Sequence, residues 1–344
     1  MTQATDLRPL GRTGLTVTAL GMGTAPLGGQ FTPVPEAQAR EVLDAAWQAG
    51  LRYFDTAPMY GLGRCERLLG DALRGRSGHV LSTKVGRLMV APRAGLTLPP
   101  EAPKNPLDPG WLDGLPFREL FDYSYDGVMR SFEDSRQRMG LTAIDLLFVH
   151  DIGRLTHGER HDHHWTALTR GGGFRALEEL RANGDIRGFG LGVNETQPIT
   201  EAMAETQLDV CLLAGRYSLI DRAAAGGFLD AMAQAGVGMV LGGVFNSGIL
   251  AAPRGAPATF DYAAAPADIV ALVDRVRGVC DDHGLPLAAA AVQFPLRHPA
   301  VSCLALGPRS RDQLAQCLDW FAHPIPPALW DDVDSVLAAA GRAV

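Results

Sequence analysis

The chain has 344 residues, 47% of them apolar and 20% charged, with a formal net charge of −7. That balance argues against nucleic acid or an anionic membrane as a principal partner, and no stretch supplies the ~18 uninterrupted apolar residues of a membrane span. The five cysteines, Cys65, Cys211, Cys280, Cys303 and Cys317, lack C-x-x-C spacing. This points away from a disulfide framework or a zinc site and toward reduced thiols in a cytoplasmic protein. The opening residues, "MTQATDLRPLGRTG", have no apolar core of the kind a signal peptide carries.

In chain order, two short apolar stretches within residues 7–20 flank a glycine-containing turn, which predicts a β-hairpin. Eight β-rich apolar runs follow, at 18–24, 52–56, 79–85, 144–150, 186–193, 208–214, 236–243 and 300–306. Between them lie helical patterns, among them 36–50, 63–75, 126–140 and 172–184. In the last, Phe174, Leu177 and Leu180 recur at helical spacing with charges between. Gly50, Gly75, Gly140 and Gly184 stand where C-terminal caps belong. Continuous apolar strands alternating with amphipathic helices predict parallel strands buried on both faces. Eight such units predict an α/β (β/α)8 TIM barrel spanning residues 1–344 as a single domain, with the hairpin plugging its bottom. Long connections after the third, fourth and seventh strands (86–123, 151–171 and 243–266) leave from the C-terminal ends, where barrel active sites lie.

The chemistry gathers at those ends. "YFDTAPMYG" (53–61) carries Asp55 at the end of the second strand and Tyr60 in the loop beyond. Lys84 is near the end of the third strand and His150 ends the fourth. Neighbouring strands are ~5 Å apart, so the four side chains can converge. A phenol beside an ammonium should ionise more readily than usual, a carboxylate would hold the lysine charged and oriented, and the imidazole can bond a substrate oxygen. Taken singly, each has a plainer structural reading as a cap, an ion pair or a core residue. A histidine-rich stretch, His157, His161, His163 and His164, reads as an insertion lining the substrate pocket rather than as a metal site. Trp111, Phe121, Trp165 and Phe245 are candidate pocket walls.

At "FDTAPMYGLGRCERLLG" (54–70), "LSTKVG" (81–86), "IDLLFVHD" (144–151) and "LRANGDIRGFGLGVNE" (180–195) the chain resembles the aldo-keto reductase superfamily. The resemblance implies an NAD(P)-binding barrel in which Tyr60 is the acid/base, Asp55 and Lys84 tune it, and His150 positions the substrate oxygen. It implies that Asn194 holds the nicotinamide carboxamide above Gly23 and Thr24. The loop "GGVFNSGIL" (242–250), with Phe245, Asn246, Ser247, Gly248 and Leu250, is implied to cover the pyrophosphate. Gly307, Arg309, Gln313 and Gln316, around the start of the last barrel helix, complete the implied NAD or NADP site, Arg309 as an anion-binding cation. Three places depart from the common pattern. Ala214 replaces a glutamine, Gly242 a stacking tyrosine, and Gln316–Cys317 a Glu-Asn pair. "LLAGRYSLID" (212–221) with "DYSYDGVMRSFEDS" (122–135) resembles the branch of D-threo-aldose 1-dehydrogenases, L-fucose dehydrogenases and pyridoxal 4-dehydrogenases. The expectation is oxidation of an aldose hemiacetal at its anomeric carbon to a lactone. The alternatives are a pyridoxal 4-dehydrogenase or a general aldehyde reductase.

Overall fold

Each of the eight apolar runs forms a parallel strand in the computed structural model, which describes residues 2–92 and 110–342. The hairpin comes first, β1 (Leu7–Pro9) against β2 (Thr16–Thr18), antiparallel. Next come β3 (Leu20–Gly23), α1 (Glu36–Gln48), β4 (Tyr53–Asp55), α2 (Arg64–Leu73) and β5 (Val80–Val85). The long third connection folds partly into an antiparallel pair, β6 (Arg87–Val90) with β7 (Arg118–Phe121), before α3 (Tyr125–Met139); residues 93–109 of that predicted loop lie outside the described residues. Then follow β8 (Leu146–His150), α4 (Arg154–His157), α5 (His161–Thr169), α6 (Gly173–Ala182), β9 (Gly188–Val193), α7 (Gln197–Glu205), β10 (Val210–Ala214), α8 (Phe228–Gln234) and β11 (Gly238–Gly242). The seventh connection holds a small hairpin, β12 (Thr259–Phe260) and β13 (Ala263–Ala264). The chain finishes with α9 (Ala267–Asp282), α10 (Leu287–Gln293), β14 (Val301–Leu306), α11 (Arg311–Ala322) and α12 (Ala328–Ala339).

β3, β4, β5, β8, β9, β10, β11 and β14 close into a barrel, with β14 returning to pair with β3. The interior is filled, not hollow. Tyr53, Val80, Leu146, Phe148, Val210, Leu212, Val240 and Cys303 pack inside it, and Leu10 and Val17 of the N-terminal hairpin join them from below. Gly11 at the hairpin tip sits so close to the Asp209 carbonyl and the Gly238 nitrogen that any Cβ there would overlap them. The predicted plug is thus a tight fit of backbone on backbone.

The helices form because one face of each has apolar surface to bury against the outside of the barrel. α1 buries Ala39, Val42, Leu43 and Ala46, and α6 buries Phe174, Leu177 and Leu180. The α3 N-terminus is capped by Ser124, whose hydroxyl accepts from the Gly127 N–H at 3.2 Å, and the helix stops at Gly140 in the left-handed region. Behind the barrel, the wholly buried Glu66 of α2 accepts from the Thr83 hydroxyl at 2.7 Å and from Arg138 of α3 at 2.5 Å. That contact ties both helices to the strand that carries Lys84.

The stretch after β8 is more helical than its sequence suggests. His157, His161, His164 and Leu168 are buried together at helical spacing, so the histidines serve as the packing face of α4 and α5. The insertion does not line the pocket, contrary to the sequence expectation. It packs behind His150 instead, with the Tyr123 hydroxyl bonded to the His150 carbonyl at 2.7 Å and to His157 Nε2 at 2.9 Å. Among the described residues, no group of three metal-binding side chains is assembled.

Candidate active site

One cavity of about 600 Å3 opens at the C-terminal ends of the strands, and Asp55, Tyr60, Lys84 and His150 all line it. β4 ends on Asp55, and the turns after it bring Tyr60 back over the barrel mouth. Lys84 points inward from β5. Its Nζ donates to Asp55 Oδ2 at 2.7 Å and to the Thr56 carbonyl at 2.8 Å. The other carboxylate oxygen accepts from the Ser82 hydroxyl at 2.8 Å, and Ser82 is in turn 2.8 Å from the Tyr53 hydroxyl. Asp55 and Lys84 are therefore a buried ion pair with both carboxylate oxygens and two of the three ammonium N–H groups bonded, which is what makes such a pair tolerable.

The ammonium lies 4.5 Å from the centre of the Tyr60 ring, on its face, and the His150 ring meets the same ring edge-on at 5.8 Å. Ionisation of Tyr60 runs against the sequence expectation. Burial, then the Asp55 carboxylate, then Asp151 push the phenol well above its usual value. The physical reason is that the Lys84 charge is already balanced by Asp55, so little of it is left to stabilise a phenolate in the protein alone. His150 is held far below its usual value by burial and by Arg87 and Lys84, so its imidazole is neutral. A neutral phenol and a neutral imidazole, both turned to one cavity, are hydrogen-bonding groups for a single substrate oxygen.

The cavity runs on from this end past Gly23, Thr24 and Asn194 to Phe245, Ser247, Gly248, Gly307, Arg309, Gln313 and Gln316, all in its wall. Gln313 sits in the first turn of α11, where its N–H is capped by the Ser310 hydroxyl at 3.2 Å. Arg309 donates to the Gln30 carbonyl at 3.0 Å. Two of the expected residues are not in the wall. Asn246 turns away to bond Ser218 and the Gly215 carbonyl, and Leu250 is wholly buried in the apolar core. The motif locates the loop, but the left-handed backbone at Asn246 (φ 45°) and Ser247 (φ 58°) decides which side chains face the cavity. Trp111 and Phe245 line the cavity as expected, whereas Phe121 and Trp165 pack elsewhere, against Tyr123 and Phe174.

Two ionisable pocket residues escaped the sequence reading. Tyr262 reaches in from the turn between β12 and β13, where Asp261 and Tyr262 have φ of 47° and 61°. It shares a hydrogen bond with the Asn194 side chain and stacks on Phe31 at 6.1 Å. Its N–H donates to the Ser247 hydroxyl at 2.9 Å. Asp151 is the other, directly after His150.

The cavity, at about 600 Å3, has the room and the polar lining for a dinucleotide. Thr24 Oγ1, His150 Nδ1 and Arg309 Nε are buried at its wall without a protein partner, and Ala214 and Gly242 leave the middle of the wall uncrowded. The Aldo/keto reductase family profile matches residues 19–338. The chain belongs to the aldo/keto reductase family. It is accordingly an NAD(P)-dependent oxidoreductase. It is 61% identical over 334 residues to a pyridoxal 4-dehydrogenase of Microbacterium luteolum, covering 97% of this chain and 98% of that one. It is 37% identical to a D-threo-aldose 1-dehydrogenase of a Pseudomonas species, covering 93% and 94%. Among solved structures of this family, an aldo-keto reductase of Bacillus halodurans in its holo form superposes with a TM-score of 0.72 at 24% identity, covering 96% of each chain. That likeness bears on the fold alone. Among the described residues, no helix is long and apolar enough to cross a membrane.

Proposed function

We propose that this aldo/keto reductase oxidises pyridoxal, in its cyclic hemiacetal form, to the corresponding lactone. The observation that carries the reading is the 61% identity, over nearly the whole of both chains, to a protein named for that activity. It reverses the order of the sequence expectation, which put aldoses first.

In this reading Tyr60 takes the proton of the hemiacetal hydroxyl, and neutral His150 holds the same oxygen. Lys84, fixed by Asp55, lies under the Tyr60 ring and offsets part of the cost of the phenolate. Asn194, Thr24 and the wall from Phe245 to Gln316 would hold the dinucleotide, with Arg309 the cation in that wall available to a phosphate. Bound there, NAD(P)+ would supply the acceptor for the hydride that leaves the oxidised carbon. Carbon gives up a hydride and its hydroxyl oxygen a proton, so the hemiacetal C–OH becomes the lactone carbonyl.

A second reading, an aldose 1-dehydrogenase, is favoured by the 37% identical relative. Its substrates are hemiacetals too and would meet the same four side chains. Initial rates with NAD+ and with NADP+ on pyridoxal, L-fucose and D-arabinose separate the two. The expected result is a kcat/KM for pyridoxal about tenfold or more above that for either sugar. A sugar preferred by the same margin transfers the assignment to the second reading, and a lack of turnover of every hemiacetal overturns both.

A further inference from the structure

The hydrogen bonds of the Asp55–Lys84 pair do not end at the cavity. Strand alternation puts Tyr53 and Asp55 on the inner face of β4, and Ser82 and Lys84 on the inner face of β5. The register sets Asp55 opposite Ser82 and Tyr53 opposite Val80. The polar side chains therefore alternate between the two strands, in a zigzag that rises from the centre of the barrel to its mouth: Tyr53, Ser82, Asp55, Lys84. Each joins the next, at 2.8, 2.8 and 2.7 Å. The direction of donation follows from the chemistry. A carboxylate can only accept, so the one Ser82 proton goes to Asp55 Oδ1 and Tyr53 donates to Ser82 Oγ. Donors aligned in this way polarise one another toward the carboxylate.

Packing alone does not account for the lower half of this chain. Tyr53 and Ser82 are both wholly buried, Tyr53 with Leu146, Phe148 and Cys303 in the apolar filling of the barrel. Among the described residues, the Tyr53 hydroxyl meets only Ser82. The ring fits because β3 has a glycine beside it: a Cβ at Gly21 would lie 2.5 Å from Tyr53 Cδ1. A phenylalanine and an alanine would fill the space with no polar atom to satisfy. What the two hydroxyls add is a donor on Asp55 Oδ1, across from the oxygen that holds Lys84. Bonded on both oxygens, the carboxylate is held in one orientation and keeps the ammonium on the Tyr60 ring face at 4.5 Å. The hydroxyl proton also takes up part of its negative charge. Burial apart, that charge is what opposes ionisation of Tyr60 most. Asp151, Tyr262, Cys65 of α2 and His150 face the phenol as well. The hydroxyl chain reaches it through the Asp55–Lys84 pair.

We propose that Ser82 and Tyr53 are positioning residues for the oxidation: their hydroxyls fix the Asp55 carboxylate and take up part of its charge, which leaves more of the Lys84 charge to the Tyr60 oxygen. This rests on the reading of Tyr60 as the group that takes the proton.

Removing the hydroxyls tests it. kcat for oxidation of pyridoxal, or of the preferred sugar, is measured from pH 6 to 11 for wild type, Tyr53→Phe, Ser82→Ala and the double variant Tyr53→Phe/Ser82→Ala, with Lys84→Met as a reference. Tyr53→Phe and the double variant leave no orphaned hydroxyl, so they carry the test even if Ser82→Ala alone does not fold. Thermal melting, and cofactor dissociation constants from fluorescence titration, are read alongside. In the double variant the acidic limb should move up by roughly half to one pH unit, so that rates fall about three- to tenfold below the limb and stay within about twofold above it. Tyr53→Phe should move it in the same direction by less. Cofactor affinity should stay within about threefold. A purely structural role would lower the melting temperature and reduce kcat by one factor at every pH. That result overturns the proposal, as does a loss confined to cofactor affinity. A limb that moves in Lys84→Met but stays in place in the double variant defeats the hydroxyl chain alone. A limb that stays in place in both defeats the acid/base reading of Tyr60 first and this proposal with it.

Discussion

Replacing Lys84 with methionine tests the electrostatics of the site most directly. The side chain is 1% exposed and its ammonium lies 4.5 Å from the centre of the Tyr60 ring. Two unit charges at that separation interact by roughly 3–4 kcal/mol at an effective dielectric near 20. Methionine fills similar volume but removes that attraction, and it leaves the Asp55 carboxylate, which opposes a phenolate, without its partner. At about 1.4 kcal/mol per pH unit, the acidic limb of the kcat profile for oxidation should move up by roughly two to three pH units. Below the limb, rates should fall by about 100-fold or more, and they should recover as the pH is raised. The assay is initial-rate oxidation from pH 6 to 11, with thermal melting of the variant to show that it folds. A folded variant whose acidic limb stays in place would refute the claim that Lys84 supports ionisation of Tyr60.

Other outcomes follow from the same contacts. Tyr60→Phe should lower kcat by about 100- to 10,000-fold, the range for a general acid/base, while fluorescence titration finds cofactor affinity nearly unchanged. Glu66→Ala leaves Arg138 half-buried without its carboxylate and Thr83 without its acceptor, and should cost about 3–5 kcal/mol in urea unfolding, with the site residues untouched. Acid should destabilise the protein through its buried histidines. Burial pushes His157 down to about 2 and His164 down to about 4. The unfolded chain therefore binds protons at these sites that the folded one refuses. Their contribution is constant above the unfolded value of about 6.5 and is lost as pH falls below it, at about 1.4 kcal/mol per pH unit for each histidine. Urea unfolding at pH 7.5, 6 and 5 should show this fall, and His164→Gln should make it shallower.

The barrel was legible because its strands are buried on both faces and so read as unbroken apolar runs; each observed strand falls inside its predicted one. Asp55, Tyr60, Lys84 and His150 were legible for a related reason, since strand ends fix where side chains arrive. What did not show was set by tertiary contacts. Tyr262 comes from a two-residue hairpin turn with positive φ at both positions, occupied by Asp and Tyr where Asn-Gly is the usual signal. The turn is held by Arg216 on Asp261 and by Ser247, which are remote in sequence. α5 was hidden because histidine reads as polar, yet His161 and His164 form its packing face. Asn246 was placed in the cavity by its motif, but a buried bond to Ser218 claims its side chain.

The pairing of β3 with β14 joins residues 20–23 to residues 301–306. During synthesis, the first staves must wait with unpaired edges until nearly the whole chain has left the ribosome. Exposed parallel edges are templates for association with other chains. A stop codon or proteolytic cut upstream of residue 301 would therefore do more than remove a terminal helix pair. It would leave β3 and β11 permanently open, and the fragment should accumulate as insoluble aggregate rather than as a smaller folded enzyme.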